Sequence, residues 1–250
     1  MRRIRADLHI HSVLSPCTDL GMSPEKIVAG ARARGLDLIA VADHNAGWNG
    51  PYVRRAARGR PVVICAMEIQ SEEEVEVLAL FPDERTCQTL SEQIERVLPD
   101  IFCDPETFGD QLVVDDSGEI VRRVDRLLLS PVPWPLGEVV RRVRDLGGLA
   151  IPAHVDRVPG GLLGVLGLLP EGDWPALELA PWTSVEEACA RWPELRGRAL
   201  LRSSDAHSPG QIGRAWTELA VKTLDVEGLG EALTDPGRVR PSPPFKETPW

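Results

Sequence analysis

The sequence predicts an α/β fold: parallel strands covered by helices, following one another around a sequential barrel. Three observations predict it. Short apolar runs alternate with segments of helical periodicity along most of the chain. All five histidines lie at or beside the ends of such runs, in four short motifs. No internal repeat or linker interrupts the pattern, so 1–250 reads as one domain. A sequential barrel gathers its strand C-termini on one face, where functional side chains collect.

Each element has its own warrant. Ile4 to His11 reads as the first strand. Ser23-Pro24-Glu25 starts a helix with a capping serine, a proline in the first turn and an acid near the positive helix end. Ile27, Val28 and Ala31 give that helix its apolar face and Gly35 ends it. Leu36 to Ala42 is a buried strand running into Asp43-His44, and Pro61 to Met67 a second running into Glu68. Val75 to Phe81 is a third apolar run, and Ser91 to Leu98 reads as a helix. Leu112 to Val124, broken by Asp115-Asp116-Ser117-Gly118, reads as a β-hairpin insert over about 110–125. Leu136 to Leu146 is amphipathic through Val139, Val140 and Val143, and Leu149 to Ala153 is the strand before His154. Ala176 to Ala180 and Ala199 to Arg202 are strands with a helix from Ser184 to Trp192 between them. Thr217 to Lys222 and a short helix at Leu229 to Leu233 follow, and the proline-rich stretch of about 240–250 reads as an irregular tail.

The bulk properties narrow the function classes. The formal net charge of −10 argues against a dedicated binder of long nucleic acid. It leaves room for a small phosphorylated substrate or a short oligonucleotide, because bound metal ions reverse local charge. Five widely spaced cysteines, with no Cys-x-x-Cys pair, indicate neither a disulfide framework nor a cysteine zinc site. They fit a reducing cytoplasm. No signal peptide and no membrane-spanning apolar stretch is read.

The histidine motifs carry the chemistry. His9 and His11 stand two apart, which on a strand turns both imidazoles to one side, within reach of one ion. Asp205 and His207 repeat that spacing near the other end of the chain. A lone histidine at a strand end reads first as a hydrogen-bonded core residue; five together read as a metal centre.

In their order, Asp7-Leu8-His9-Ile10-His11-Ser12, Ala42-Asp43-His44-Asn45, Glu68, Ala153-His154 and Ser204-Asp205-Ala206-His207 resemble the motifs of the PHP (polymerase and histidinol phosphatase) superfamily. The resemblance implies a distorted seven-stranded (β/α) barrel. It implies two or three divalent ions (zinc, manganese or iron) and hydrolysis of phosphate esters. By the same resemblance His9, His11, Glu68 and Asp205 hold a first ion, Glu68 and His154 a second, and His44 and His207 a third. Where relatives place an aspartate after the first motif, this chain has Ser15-Pro16-Cys17-Thr18, and Asp19 is nominated for the third ion. Where similar members have a histidine for the second ion, it has Glu76, which is either an oxygen ligand or one more acid of the solvated run Glu72-Glu73-Glu74. Asp43 is a candidate to orient a ligand. Arg157 either clamps a substrate phosphate or forms a surface ion pair with Asp156.

The leading expectation is a phosphomonoesterase acting on a nucleotide or sugar phosphate, with Asp205, Glu68 and His207 as the catalytic set. Its alternatives are an exonuclease on short oligonucleotides and a metal-stabilised, non-catalytic binding module. An amidohydrolase-type barrel also opens on His-x-His. Many of those bridge their metals with a carboxylated lysine, and Lys26, Lys222 and Lys246, the chain's three lysines, end no core strand. Trp48, Trp134, Trp174 and Trp182 fall in loops or near strand ends and read as packing or lid residues.

Overall fold

The structure is a computed structural model and describes residues 1–245. In chain order the elements are β1 (Arg2–Ile10), α1 (Pro24–Ala33), β2 (Leu38–His44), α2 (Gly50–Ala57), β3 (Val62–Gln70), β4 (Glu76–Phe81), α3 (Glu84–Val97) and α4 (Pro105–Phe108). There follow β5 (Leu112–Val114), β6 (Ile120–Arg123), α5 (Leu136–Asp145), β7 (Leu149–Pro152), α6 (Leu162–Leu166) and β8 (Leu177–Leu179). α7 (Val185–Arg191), β9 (Leu200–Arg202), β10 (Thr217–Val221), α8 (Val226–Leu233) and β11 (Val239–Pro241) complete it.

Seven strands form one mixed sheet in the order β11-β10-β1-β2-β3-β4-β7. The parallel pair β8–β9 packs against both of its edges, β7 and β11, so the sheet curls into a distorted barrel. β5 and β6 form the separate antiparallel hairpin expected as an insert.

Parallel pairing is confined to β1–β2–β3 and β8–β9; β4, β7, β10 and β11 pair antiparallel, which corrects the expectation of parallel strands throughout. The cause is local. Only residues 71–75 separate β3 from β4, too few for the crossover that a parallel partner needs. The strand interiors are apolar on both faces, as sequence runs such as Leu-Ile-Ala-Val-Ala require of strands covered on each side.

The helices follow their capping residues. α1 has Ser23 at its N-cap and Pro24 in its first turn, although the serine side chain makes no cap hydrogen bond. α3 starts at Glu84, seven residues before the expected Ser91, because Asp83 accepts from the Thr86 amide and caps it. α7 carries a full capping box between Ser184 and Glu187. α5 buries Val139, Val140 and Val143, roughly 1.5–3 kcal/mol for each side chain removed from water. α2 and β11 were not anticipated. β11 occupies 239–241, the start of the expected irregular tail, while 246–250 lies outside the described residues. Arg202, buried on β9, donates to the carbonyls of Thr183 and Ser242 and ties that end segment to the barrel. Among the described residues no helix is long and apolar enough to cross a membrane.

Candidate metal centre

Topology alone converges the motifs. β1, β2 and β3 are parallel, so His9, His11 just past the end of β1, His44 and Glu68 meet at one end of the sheet. β4 runs the other way, which puts its first residue, Glu76, at that same end opposite Gln70. β7 reverses again and returns beside Val77, delivering His154 two residues later. The loop after β9 adds Asp205 and His207.

Four overlapping groups of potential ligand atoms result: His11/His44/His207, His9/Glu68/His154, His9/His11/Asp205 and His44/Glu68/Glu76. Glu68 lies at the junction. Its Oε1 faces His154 Nε2 at 2.9 Å and His9 Nε2 at 3.3 Å, while its Oε2 faces His44 Nδ1 at 3.2 Å and His11 Nε2 at 3.5 Å. Oε2 is buried without a hydrogen-bond partner, and so is Nδ1 of His154.

The hydrogen bonds around the rings decide what these groups can hold. Nδ1 of His9 donates to Glu178 Oε2 at 2.9 Å, which in a neutral ring leaves a lone pair on Nε2. Ser15 donates its hydroxyl to Asp43 Oδ1 and so accepts from Nδ1 of His11 at 2.9 Å, leaving a lone pair on that Nε2 as well. These two Nε2 atoms lie 3.2 Å apart, and Asp205 Oδ1 is 3.6 and 3.2 Å from them. Acceptors cannot satisfy one another; a proton or a metal cation among them is what relieves the group. Nitrogen and oxygen donors in this number suit divalent transition metals.

The titration behaviour follows from the same crowding. Burial depresses His9, but the charges of Glu68, Glu178 and Asp205 outweigh it and hold the ring well above its usual range. Burial would raise Glu68 and Asp205; the facing histidines pull both well below the ordinary carboxylate range. Burial takes His44 down to about 4 and holds His11 well below its usual range, helped in both by the charge of His207. Burial and then the charge of Glu68 push Glu76 up to about 7.

Glu76 is buried, whereas Glu72, Glu73 and Glu74 remain exposed, so the solvated-run reading fails. Gly160 makes room for it: a Cβ there would meet Glu76 Oε2 at 1.8 Å. Arg157 lies at the mouth with a quarter of its side chain exposed. It donates to Asp205 Oδ2 at 2.8 Å and to Glu76 Oε2 at 3.0 Å. A surface pair with Asp156 does not form, because Asp156 accepts instead from the Ala180 amide. Asp19, nominated for the third ion, is exposed and turned onto its own loop, accepting from the Gly21 amide at 2.6 Å. It joins none of the ligand groups.

Two supporting residues, Glu178 and Asn49, escaped the sequence reading, whereas Asp43 was anticipated. Glu178, buried in β8, orients His9 and also accepts from the His154 amide at 3.3 Å. Asp43 acts through Ser12 and Ser15, not on its own neighbour His44. Asn49 pins β5 to the loop after β1 by bonds to Ser12 Oγ, Leu112 O and Val114 N. His154 and Asp205 take positive φ angles of 25° and 48°, strained for residues with a Cβ and held so by their surroundings. Trp134 is core, and Trp48 and Trp174 pack against it.

Comparison with known proteins agrees with this fold. The model of a PHP-associated region, PHP_C, matches residues 189–235. The protein YqxK of Bacillus subtilis, which is uncharacterised, is 36% identical over 99 residues, 37% of this chain and 25% of that protein. The lesion-specific endonuclease EndoQ of Pyrococcus furiosus superposes with a TM-score of 0.70 at 19% identity, over 96% of this chain and 58% of that one. Endonuclease Q in complex with a 27-mer duplex bearing an abasic lesion at the active site gives 0.65 at 19%, over 93% and 57%. A two-domain Bacteroides vulgatus protein containing a predicted PHP-like metal-dependent phosphoesterase gives 0.57 at 17%, over 97% and 65%. The chain thus spans a quarter of the curated relative and under three fifths of the endonuclease.

The ordered ligand motifs, their convergence and the PHP-associated match over residues 189–235 make this chain similar to PHP-type metal-dependent phosphoesterases. Its buried His, Glu and Asp groups could hold divalent metal ions, on a fold it shares with a predicted PHP-like phosphoesterase.

Proposed function

We propose that this chain is a metal-dependent nuclease that hydrolyses phosphodiester bonds in nucleic acid. The observation that carries phosphoester chemistry is the set of overlapping ligand groups, two of which share Glu68, with the Arg157 guanidinium at their mouth. The likeness to endonuclease Q, one of whose structures holds DNA at the active site, favours a nucleic-acid substrate over a free phosphomonoester.

The residues fit two or three ions of zinc, manganese or iron: His9, His11, Glu68 and Asp205 would hold one, Glu68, Glu76 and His154 a second, and His44 and His207 a third. When bound, such ions make a water acidic enough to attack near neutral pH and offset charge on the phosphoryl oxygens. The chain supplies the rest. Glu68 spans the site, one oxygen toward each side, and fixes the spacing of the groups. Asp205 turns Oδ1 to the ligand cluster, where it takes the proton of the attacking water, and is held there by Arg157 on Oδ2. Arg157 presents its forked donors to the phosphoryl oxygens at the mouth. His207 is partly exposed at the rim, and its Nδ1 donates to the Asp205 carbonyl at 2.8 Å, which leaves Nε2 free to hold an ion beside His44.

The test is manganese-dependent cleavage of labelled single strands, and of duplexes with and without an abasic site, beside a panel of nucleoside and sugar phosphates. Strand cleavage that falls by about 10²-fold or more in Asp205→Ala supports the reading. Phosphate release from monoesters without strand cleavage returns the assignment to a phosphomonoesterase. Tight binding without turnover makes it a binding module.

A further inference from the structure

The charge of −10 is an average over an uneven chain. The whole sequence has 28 basic and 38 acidic residues, yet residues 24–60 hold seven basic and three acidic ones. Of those three acids, Asp43 is buried and Asp37 already pairs with Arg2 and the Arg5 amide.

The fold gathers the basic residues. α1 packs on α2, and the C-terminal ends of both helices present Arg32, Arg34, Arg54, Arg58 and Arg60, all exposed. Arg32 donates to the carbonyls of Ala57 and Arg60 at 2.9 and 3.0 Å, which fixes the two helix ends side by side. Among the described residues these five form no ion pair, whereas arginines elsewhere, such as Arg141 and Arg142 with Glu138, are matched by acids on their own helix. Arg55 alone in this face has a carboxylate near, Asp116 at 3.6 Å. Unmatched guanidinium groups on an otherwise acidic protein cost self-repulsion and gain from a polyanion.

Its position relative to the metal centre is set by β2 and β3. Both strands begin beside this face, at Leu38 and Val62, and end at His44 and Glu68, which pair in register. Six steps at ~3.3 Å put the arginines roughly 20 Å from the ligands. In a duplex each strand advances ~3.4 Å of helix axis per phosphate, so that gap equals about six nucleotides of duplex.

We infer that the α1–α2 arginine face is a secondary contact for the phosphate backbone of the nucleic acid, engaging the strand about six nucleotides from the bond being cleaved. This rests on the nuclease reading above. It assigns the face a length rule: strands too short to reach it gain nothing from it.

The test compares the wild type with the triple variant Arg34→Gln, Arg58→Gln, Arg60→Gln on single strands of about four and about fifteen nucleotides. On the long strand the variant loses affinity about tenfold or more. Its plot of log affinity against log salt flattens by about two, since each single-strand phosphate contact contributes about 0.7. On the short strand its kcat/KM stays within about twofold of wild type, which also shows that it is folded. Equal long-strand affinity and salt slope in both proteins overturns the inference. Binding is measured separately on the Asp205→Ala background. Patch-dependent binding with no cleavage by wild type sinks the nuclease reading and leaves the contact standing; cleavage with patch-independent binding does the reverse.

Discussion

At the scale of the residue, the centre depends on side chains that touch no reacting atom. Glu178 is the clearest. Its carboxylate fixes the His9 tautomer and reaches the His154 amide, so it positions ligands from two strands. Such partners typically account for 10–100-fold in metal affinity. Glu178→Ala should weaken manganese or zinc binding by about that factor in a chelator competition. Glu178→Gln, which still accepts from Nδ1, should lose less. Unchanged affinity in a folded Glu178→Ala protein would refute the role. Its sequence context, an acid between Leu177 and Leu179 in a three-residue buried strand, was a readable sign, because unpaired charges are not buried there. Gly160 was not readable: its need arises from Glu76, 84 positions away, whose carboxylate fills the space a side chain would take.

At the scale of the element, the strand ends are what place the ligands, and they are tied to one another. Asp7 on β1 accepts from the Ser204 amide and hydroxyl and from the Gly213 amide, which locks β1 to the loop bearing Asp205. Burial pushes Asp7 up to about 6 even against those bonds. Asp7→Asn turns one acceptor into a donor facing donors, so it should cost roughly 1–3 kcal/mol in urea denaturation and weaken metal binding with it. An unchanged midpoint would deny that link. The elements were legible wherever period and turn chemistry agreed: the β1 and β2 runs, the Val139/Val143 stripe and the Asp115–Gly118 hairpin turn. They were not where short segments depend on packing. α2, eight residues opened by Gly50-Pro51, has too little periodicity to read, and β11 is a strand only because β10 offers it an edge. The order of the ligands could be read; the direction of β4, which brings Glu76 in beside His154, could not. Asp19 failed for the complementary reason, since nearness in sequence to a motif says nothing about where a loop turns its carboxylate.

At the scale of the whole molecule, protons would compete with the proposed metal ions for one buried site, and stability would report the contest. His9 and His154 are both raised in the fold above the usual 6.5. A group raised on folding stabilises the protein below its unfolded value and surrenders that contribution as pH climbs through its folded value. His11 and His44 are lowered, so above about pH 7 they are neutral folded and unfolded and drop out. Between about pH 7 and 9 the raised histidines therefore dominate, and metal-free protein should become less stable as pH rises, with Glu68 and Asp205 left facing unprotonated rings. Metal binding requires those same lone pairs, releases their protons and tightens with pH. At about a hundred times its Kd a bound ion adds roughly 2.7 kcal/mol. The melting temperature of chelator-stripped protein should fall across this window while that of manganese-loaded protein holds, so the gap between them widens with pH. A gap that narrows, or proton release absent from calorimetry in two buffers of different ionisation enthalpy, would mean that the histidines are not the metal's ligands.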